Sequence, residues 1–318
     1  MSFAYPFSLV RKPPNIRLAE GLRLVPCLGR LAPLVSAMPW LPARGIMRYQ
    51  DRLLEFDGHN SQFHALHAPQ HAVGYELETC VLLSLLLRGA DTFVDAGANW
   101  GFFTLMALSL PAFNGRCVSF EPHPRSFADL QSLVSQAGLE SRVTLHARGL
   151  GSRPCGLRLQ GGMSDSGCVR LVSEGEGAEV EVTTLDEAVS GNVGVIKMDV
   201  EGMEHDVLRG GEKLILEQRP FIILENTLDD EARFRQPIDW LGAMGYRCLV
   251  PALFVHSGGT THLHHYGSPP LHEGARFETD KLAFMPVTEL TREWFARQVN
   301  LLACPQERLG ELPGELHG

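Results

Sequence analysis

The sequence predicts an α/β fold, a parallel sheet with helices on both faces, and three observations carry that prediction. From residue 91 onward, short apolar runs alternate with helical stretches at strand–helix–strand spacing. The first of these strands runs into a glycine loop, Val94 to Gly101, "VDAGANWG". The second ends on an acid, Glu121. A doubly wound sheet receives its ligand at these places, outside the carboxyl ends of its strands.

The elements follow in order. Residues 1–48 hold seven prolines, which fit short helical turns or irregular chain better than one long helix. The same residues carry seven basic groups against Glu20 alone. With a formal charge of −9 overall, an excess of +6 here leaves about −15 for the rest of the chain. Basic and apolar residues together suit contact with a membrane surface or a partner, although the prolines break a clean amphipathic face. Residues 49–72 are polar and rich in histidine.

From Gly74, "GYELETCVLLSLLLRG" reads as a helix with Leu77, Val81, Leu82, Leu85 and Leu86 on its apolar stripe, stopping at Gly89. "DTFVDAG" is a strand and "FFTLMALSL" a helix ended by Pro111. "RCVSFE" is the second strand, "SFADLQSLVSQAG" a helix closed by Gly138, and "RVTLHARG" the third strand. Residues 151–184 form a glycine-rich excursion whose last part, "EVEVTT", alternates like an edge strand. "VGVIKMDVEG" is the fourth strand, followed by a helix interrupted at Gly210-Gly211 and by the fifth strand, "PFIILEN". "PIDWLGAMG" is a helix, and "YRCLV" pairs with "KLAFMPV" as a closing hairpin.

Composition excludes several classes. A pI near 5.8 lacks the basic footprint of a general nucleic-acid binder. Seven scattered cysteines without a CxxC pair are neither a disulfide framework nor a zinc pattern. With no signal-peptide core and no apolar run long enough to span a bilayer, the expected location is cytoplasmic.

The glycine loop rejects the dinucleotide frame. That frame, started at Gly97, requires glycines where this chain has Asn99 and Phe102. A second frame, acid-x-G-x-G-x-G, places Asp95, Gly97, position 99 and Gly101 in register, and Asn at 99 tolerates a left-handed backbone. It suits a ligand without a pyrophosphate: the backbone comes close at Gly97 and Gly101, the next helix offers N–H groups to a carboxylate, and Asp95 meets an ammonium. Glu121 is placed to grip a ribose diol. S-adenosyl-L-methionine, with an amino-acid end and a nucleoside end, meets both requirements.

At these residues the chain resembles a known family. "FVDAGANWGFF", "VSFEPHPRSFADL", "TTLDE", "IKMDVEGMEHDVLRGG" and "RPFIILEN" follow one another as in the FkbM-type methyltransferases, a branch of the class I S-adenosylmethionine-dependent enzymes. The similarity runs from about Tyr75 to Val287, and Trp100, Met198 and Met203 depart mildly from the usual pattern. It implies a seven-stranded, mostly parallel sheet with the last strand antiparallel. The expected organisation is a methyltransferase domain (73–290), with an N-terminal arm or lid (1–72) and a C-terminal tail (291–318) that the resemblance does not cover. Asp95, Gly97, Asn99 and Gly101 would cradle the methionine end of the donor, Glu121 the ribose, and Gly149 and Leu150 would lie near adenine. The acceptor implied is a hydroxyl of a glycan or small metabolite.

A hydroxyl needs a base near the methyl group. Asp199 leads, because the end of the fourth strand faces the same crevice as the first, and Lys197 is expected to pair with one of the acids here, since a buried lysine seldom goes unpaired. Glu201 points to the same side by strand alternation if the strand continues that far. His205 begins the next helix, and Glu225 ends the fifth strand. Asp199, Asp229 and Asp230 are oxygen donors of the kind magnesium prefers, but their spacing alone supports no metal site. The histidines at 59–71 and 256–272 lack metal spacing; under a lid and a C-terminal loop, one of them is an alternative base. Arg170 is placed to meet an acidic acceptor. Two other readings stand beside the enzyme: an NAD-linked oxidoreductase, against which Asn99 and Phe102 count, and a non-catalytic partner-binding relic, against which the near-complete motifs count.

Overall fold

The computed structural model describes residues 3–25, 28–160, 170–172, 177–227, 230–257, 259–265, 267–272, 274–287 and 298–316. Near the N-terminus, β1 (Phe7–Arg11), β2 (Arg44–Tyr49) and β3 (Arg52–Asp57) form an antiparallel sheet in that order. The sequence reading gave this region no strands. The signal was present: Gly45, Met47 and Tyr49 on β2, and Leu54 and Phe56 on β3, alternate as the buried face. A division placed at residue 48 cuts through this hairpin, whose two-residue turn puts Gln50 at φ 53°.

The main sheet is built from β4 (Thr92–Ala96), β5 (Arg116–Phe120) and β6 (Val143–His146). A side sheet of β7 (Gly149–Leu150), β8 (Cys155–Gln160), β9 (Arg170–Val172) and β10 (Glu179–Thr183) follows, in the order β7-β10-β8-β9. The "EVEVT" strand expected at an edge, β10, therefore lies between two neighbours. The chain then returns to the main sheet with β11 (Val193–Met198), β12 (Phe221–Thr227), β13 (Tyr246–Ser257), β14 (Thr260–His264), β15 (Arg276–Phe277), β16 (Leu282–Pro286), β17 (Gln298–Pro305) and β18 (Gly314–Leu316).

The main sheet is mixed, and its order is β18-β16-β13-β17-β12-β11-β4-β5-β6, with β14 and β15 paired to β13. The run from β12 to β6 is parallel, so its carboxyl ends share one side. The hairpin pairs as expected, Leu249–Ala252 against Ala283–Pro286. It does not abut β12, because β17 runs antiparallel between β12 and β13. That strand comes from the segment read as a tail. Its Val299–Cys304 stretch is buried throughout, as a central strand requires.

Helices cover both faces of the sheet. Phe93, Val195 and Ile223 face a core shared with the helices Leu77–Leu86 and Phe102–Ser109; Val94, Ile196, Ile222 and Leu224 face a second core containing Val207, Leu208, Ile215 and Leu241. This alternation fixes where the polar residues point. Asp95 and Lys197 are register neighbours on the face of the helix Phe102–Ser109. Among the described residues, no helix is long and apolar enough to cross a membrane.

Candidate functional site

A cavity of about 470 Å³ opens at the carboxyl ends of β4, β5, β11 and β12. Its floor is the loop after β4. Gly97 sits at φ 79° and its N–H donates to the Phe120 carbonyl at 3.0 Å. A Cβ on Gly97 would lie 1.8 Å from the Asp199 carbonyl oxygen, so only glycine lets this loop and the end of β11 pass. The Asp199 N–H in turn donates to the Ala96 carbonyl at 3.0 Å.

Asn99 is left-handed, at φ 50°, and its side-chain oxygen accepts from the Trp100 N–H at 2.8 Å. Its own N–H donates to Glu121 Oε2 at 2.8 Å, while Glu121 Oε1 accepts from the His123 N–H at 2.7 Å. Burial pushes the Glu121 carboxyl up to about 7 against the lowering effect of those two N–H groups.

Beside this floor lies a group of buried acids with one cation. Lys197 Nζ is 3.4 Å from Asp199 Oδ2 and 4.4 Å from the centre of the Phe103 ring. Burial opposes its charge, but Asp199, Glu76, Asp95 and Glu225 together outweigh burial and hold its pKa above the usual lysine value. Burial, and then Asp199, raise Glu225 far above the carboxylate range, and the two acids share a hydrogen bond. Glu76 is also raised by burial; its Oε2 accepts from Asn300 Nδ2 at 2.8 Å, tying the helix Leu77–Leu86 to β17. Glu78 is 2% exposed, with Oε1 unpaired among the described residues, and burial lifts it to about 8.

The roof comes from two distant segments. Gln62, His64, His71 and Tyr75 enter from the N-terminal side, and His264 and His265 from the far end of β14 and the loop after it. His71 meets Tyr75 edge-on at 4.9 Å between centroids and His64 at 5.4 Å. Burial pushes both His71 and His264 down to about 4. Behind the floor, Trp100 is 2% exposed, stacks on Phe63 at 4.7 Å and donates from Nε1 to the Gln62 carbonyl at 3.2 Å.

Residues 95–248 match the model of the methyltransferase FkbM domain. The chain carries an FkbM methyltransferase domain. No curated protein matches the sequence. Among solved structures the chain is similar to methyltransferase FkbM from Methylobacillus flagellatus KT, with 22% identity and a TM-score of 0.42, over 60% of this chain and 49% of that one. It thus spans about half the length of that protein. It is also similar to the O-methyltransferase from Bacillus cereus in complex with SAH (12% identity, TM-score 0.40, 77% and 86% of the two chains). A third likeness is to precorrin-6y C5,15-methyltransferase from Geobacter metallireducens GS-15 (13%, 0.38, 74% and 91%).

Within the FkbM domain, Gly97, Asn99, Glu121, Gly149, Leu150, Asp199 and Glu201 all line the cavity. Three expected residues are not among its lining. Asp95 is fully buried; its Oδ2 accepts from Thr104 Oγ1 at 2.6 Å, and burial raises its pKa. It fastens the following helix to β4. Gly101 opens that helix at φ 95°, where a Cβ would lie 2.5 Å from Leu130 Cδ1. His205 lies on the helix Glu204–Gly210, with Nδ1 buried and unpaired among the described residues.

Glu201 reaches the cavity by a route other than strand alternation. The strand stops at Met198, and Glu201 turns at φ 52° ahead of Gly202. Asp230 caps the helix Glu231–Ala243, accepting from the N–H groups of Ala232 and Arg233. Asp229 and the side chain of Arg170 fall outside the described residues. Sequence reasoning missed Glu76 and Glu78. Two acids opening an otherwise apolar buried helix were the signal, because a buried carboxylate needs a reason.

Proposed function

We propose that this protein is an S-adenosylmethionine-dependent methyltransferase acting on a hydroxyl of a glycan or small metabolite. One observation carries the reading: within the matched domain, the loop 97–99 and Glu121 are joined by the Asn99 N–H and wall the same cavity. The residues present fit the donor. Gly97 packs its backbone against the Asp199 carbonyl and so brings the loop to the cavity wall, Glu121 is a ribose-diol acceptor, and Gly149 and Leu150 border the adenine end. Six acids, Glu76, Glu78, Glu121, Asp199, Glu201 and Glu225, line the cavity among the described residues. Within the sheet, β6-β5-β4-β11-β12-β17-β13 is the seven-strand unit we assign to donor binding.

When bound, the donor supplies an electrophilic methyl group on a sulfonium. The chain's own task is to align the acceptor oxygen, exclude water and take a proton. Asp199 would accept the proton of the acceptor hydroxyl. Lys197 orients Asp199 from 3.4 Å. Calorimetric titration of the full chain should give binding of S-adenosylmethionine and no heat with NAD. Asp199→Asn should keep donor binding while lowering radiolabelled methyl transfer into hydroxyl acceptors by roughly two orders of magnitude or more. Binding of NAD in place of the methyl donor would overturn the reading, as would transfer undiminished in Asp199→Asn for the role of that residue.

A further inference from the structure

Eleven large apolar side chains are exposed among the described residues, and seven of them lie between Leu18 and Trp40. Leu24 is 85% exposed, Trp40 74% and Leu34 64%. Such side chains scattered singly would need no explanation, but their concentration in one segment does.

The segment is built, with the helix Pro14–Arg23 packed beside the helix Ala32–Ser36. Ala19 and Ala32 are buried beneath it. Asn15 Nδ2 donates to the Ser36 and Gly58 carbonyls at 2.7 and 3.0 Å, and the Asn15 N–H to the Pro42 carbonyl at 3.1 Å. With that underside fixed, the outward leucines are held in water by the fold. Leu24, Leu28 and Leu31 recur at helical spacing through turns closed by the Leu28 and Leu31 N–H groups.

Charge identifies the occupant. Arg17, Arg23 and Arg30 are exposed and enter no ion pair among the described residues. The segment's one acid, Glu20, is already held by Lys12 at 2.8 Å. A second copy of the segment would bring the same positive charge, so self-association through it is opposed. A surface that is apolar below and anionic above matches both features, with Trp40 suited to the boundary.

We propose that residues 14–25 and 28–40 dock this protein on an anionic lipid surface, with Leu24, Leu28, Leu31, Leu34 and Trp40 in the headgroup boundary and the three arginines at lipid phosphates. The test is co-sedimentation of the full chain with vesicles of phosphatidylcholine alone or mixed with phosphatidylglycerol. Binding is expected only with the mixed vesicles and should fall with added salt. Replacing Arg17, Arg23 and Arg30 by Gln should weaken it roughly a hundredfold, since each basic side chain near such a surface contributes about a factor of five. Replacing Leu24, Leu34 and Trp40 by Ser should abolish it without lowering the melting temperature, because these side chains are exposed. No sedimentation with mixed vesicles would overturn the proposal, and so would undiminished binding by both variants. A dimer in gel filtration that Trp40→Ser dissolves, without vesicle binding, would assign the patch to self-association instead.

Discussion

The floor and the roof of the cavity are made by different physics. The floor, Gly97, Asn99, Glu121 and the end of β11, is set by backbone geometry over short distances: positive φ angles, a carbonyl where a Cβ would stand, and two amides on one carboxylate. The roof, His64, His71, Tyr75, His264 and His265, is assembled from segments nearly two hundred residues apart. A site can thus hold one ligand on a floor its motif encodes while the roof above varies with whatever the flanking chain brings.

The sharpest way to break this contrast is Gly97→Ala. The added methyl would meet the Asp199 carbonyl in a backbone conformation that L residues avoid, at a cost of about 3 kcal/mol or more. Urea denaturation should register that loss and calorimetry a loss of donor binding. A variant of unchanged stability would mean the floor does not depend on the close approach.

Glu78→Gln probes the acids between floor and roof. The folded-state pKa of Glu78, about 8, lies above its ordinary value of 4.5, so the unfolded chain ionises first. The wild-type protein therefore loses stability as pH rises from about 4.5 through 8, by on the order of a few kcal/mol, and the variant should flatten that slope. Melting temperatures across this range check it; parallel profiles for the two proteins would show that Glu78 ionises freely.

The smallest effect is expected at the bond from Trp100 to the Gln62 carbonyl. Trp100→Phe keeps the stack on Phe63 but loses the hydrogen bond to the Gln62 carbonyl, at about 1 kcal/mol. Hydrogen exchange near residues 62–64 should quicken while donor binding stays within about twofold. Unchanged exchange would mean that the roof is held elsewhere.

How much was legible depended on the range of the interaction. Gly97, Asn99, Glu121, Gly149, Leu150, Asp199 and Glu201 were singled out from the sequence, and each lines the cavity. Asp95 does not line it: strand alternation turns its carboxylate toward Thr104. Glu76 and Glu78 went unread because their helix looked like plain core, and β17 because a strand inserted between two others leaves no local mark.

The sequence by itself determined the alternation of strands and helices and the glycine loop with its acid, because periodicity, positive φ and capping act within a few residues. Tertiary structure alone decided which acids share a cavity, which histidines roof it, and which leucines of the N-terminal arm are left in water. Those outcomes depend on chain segments meeting across the fold, and burial, charge coupling and exposure exist only after they meet.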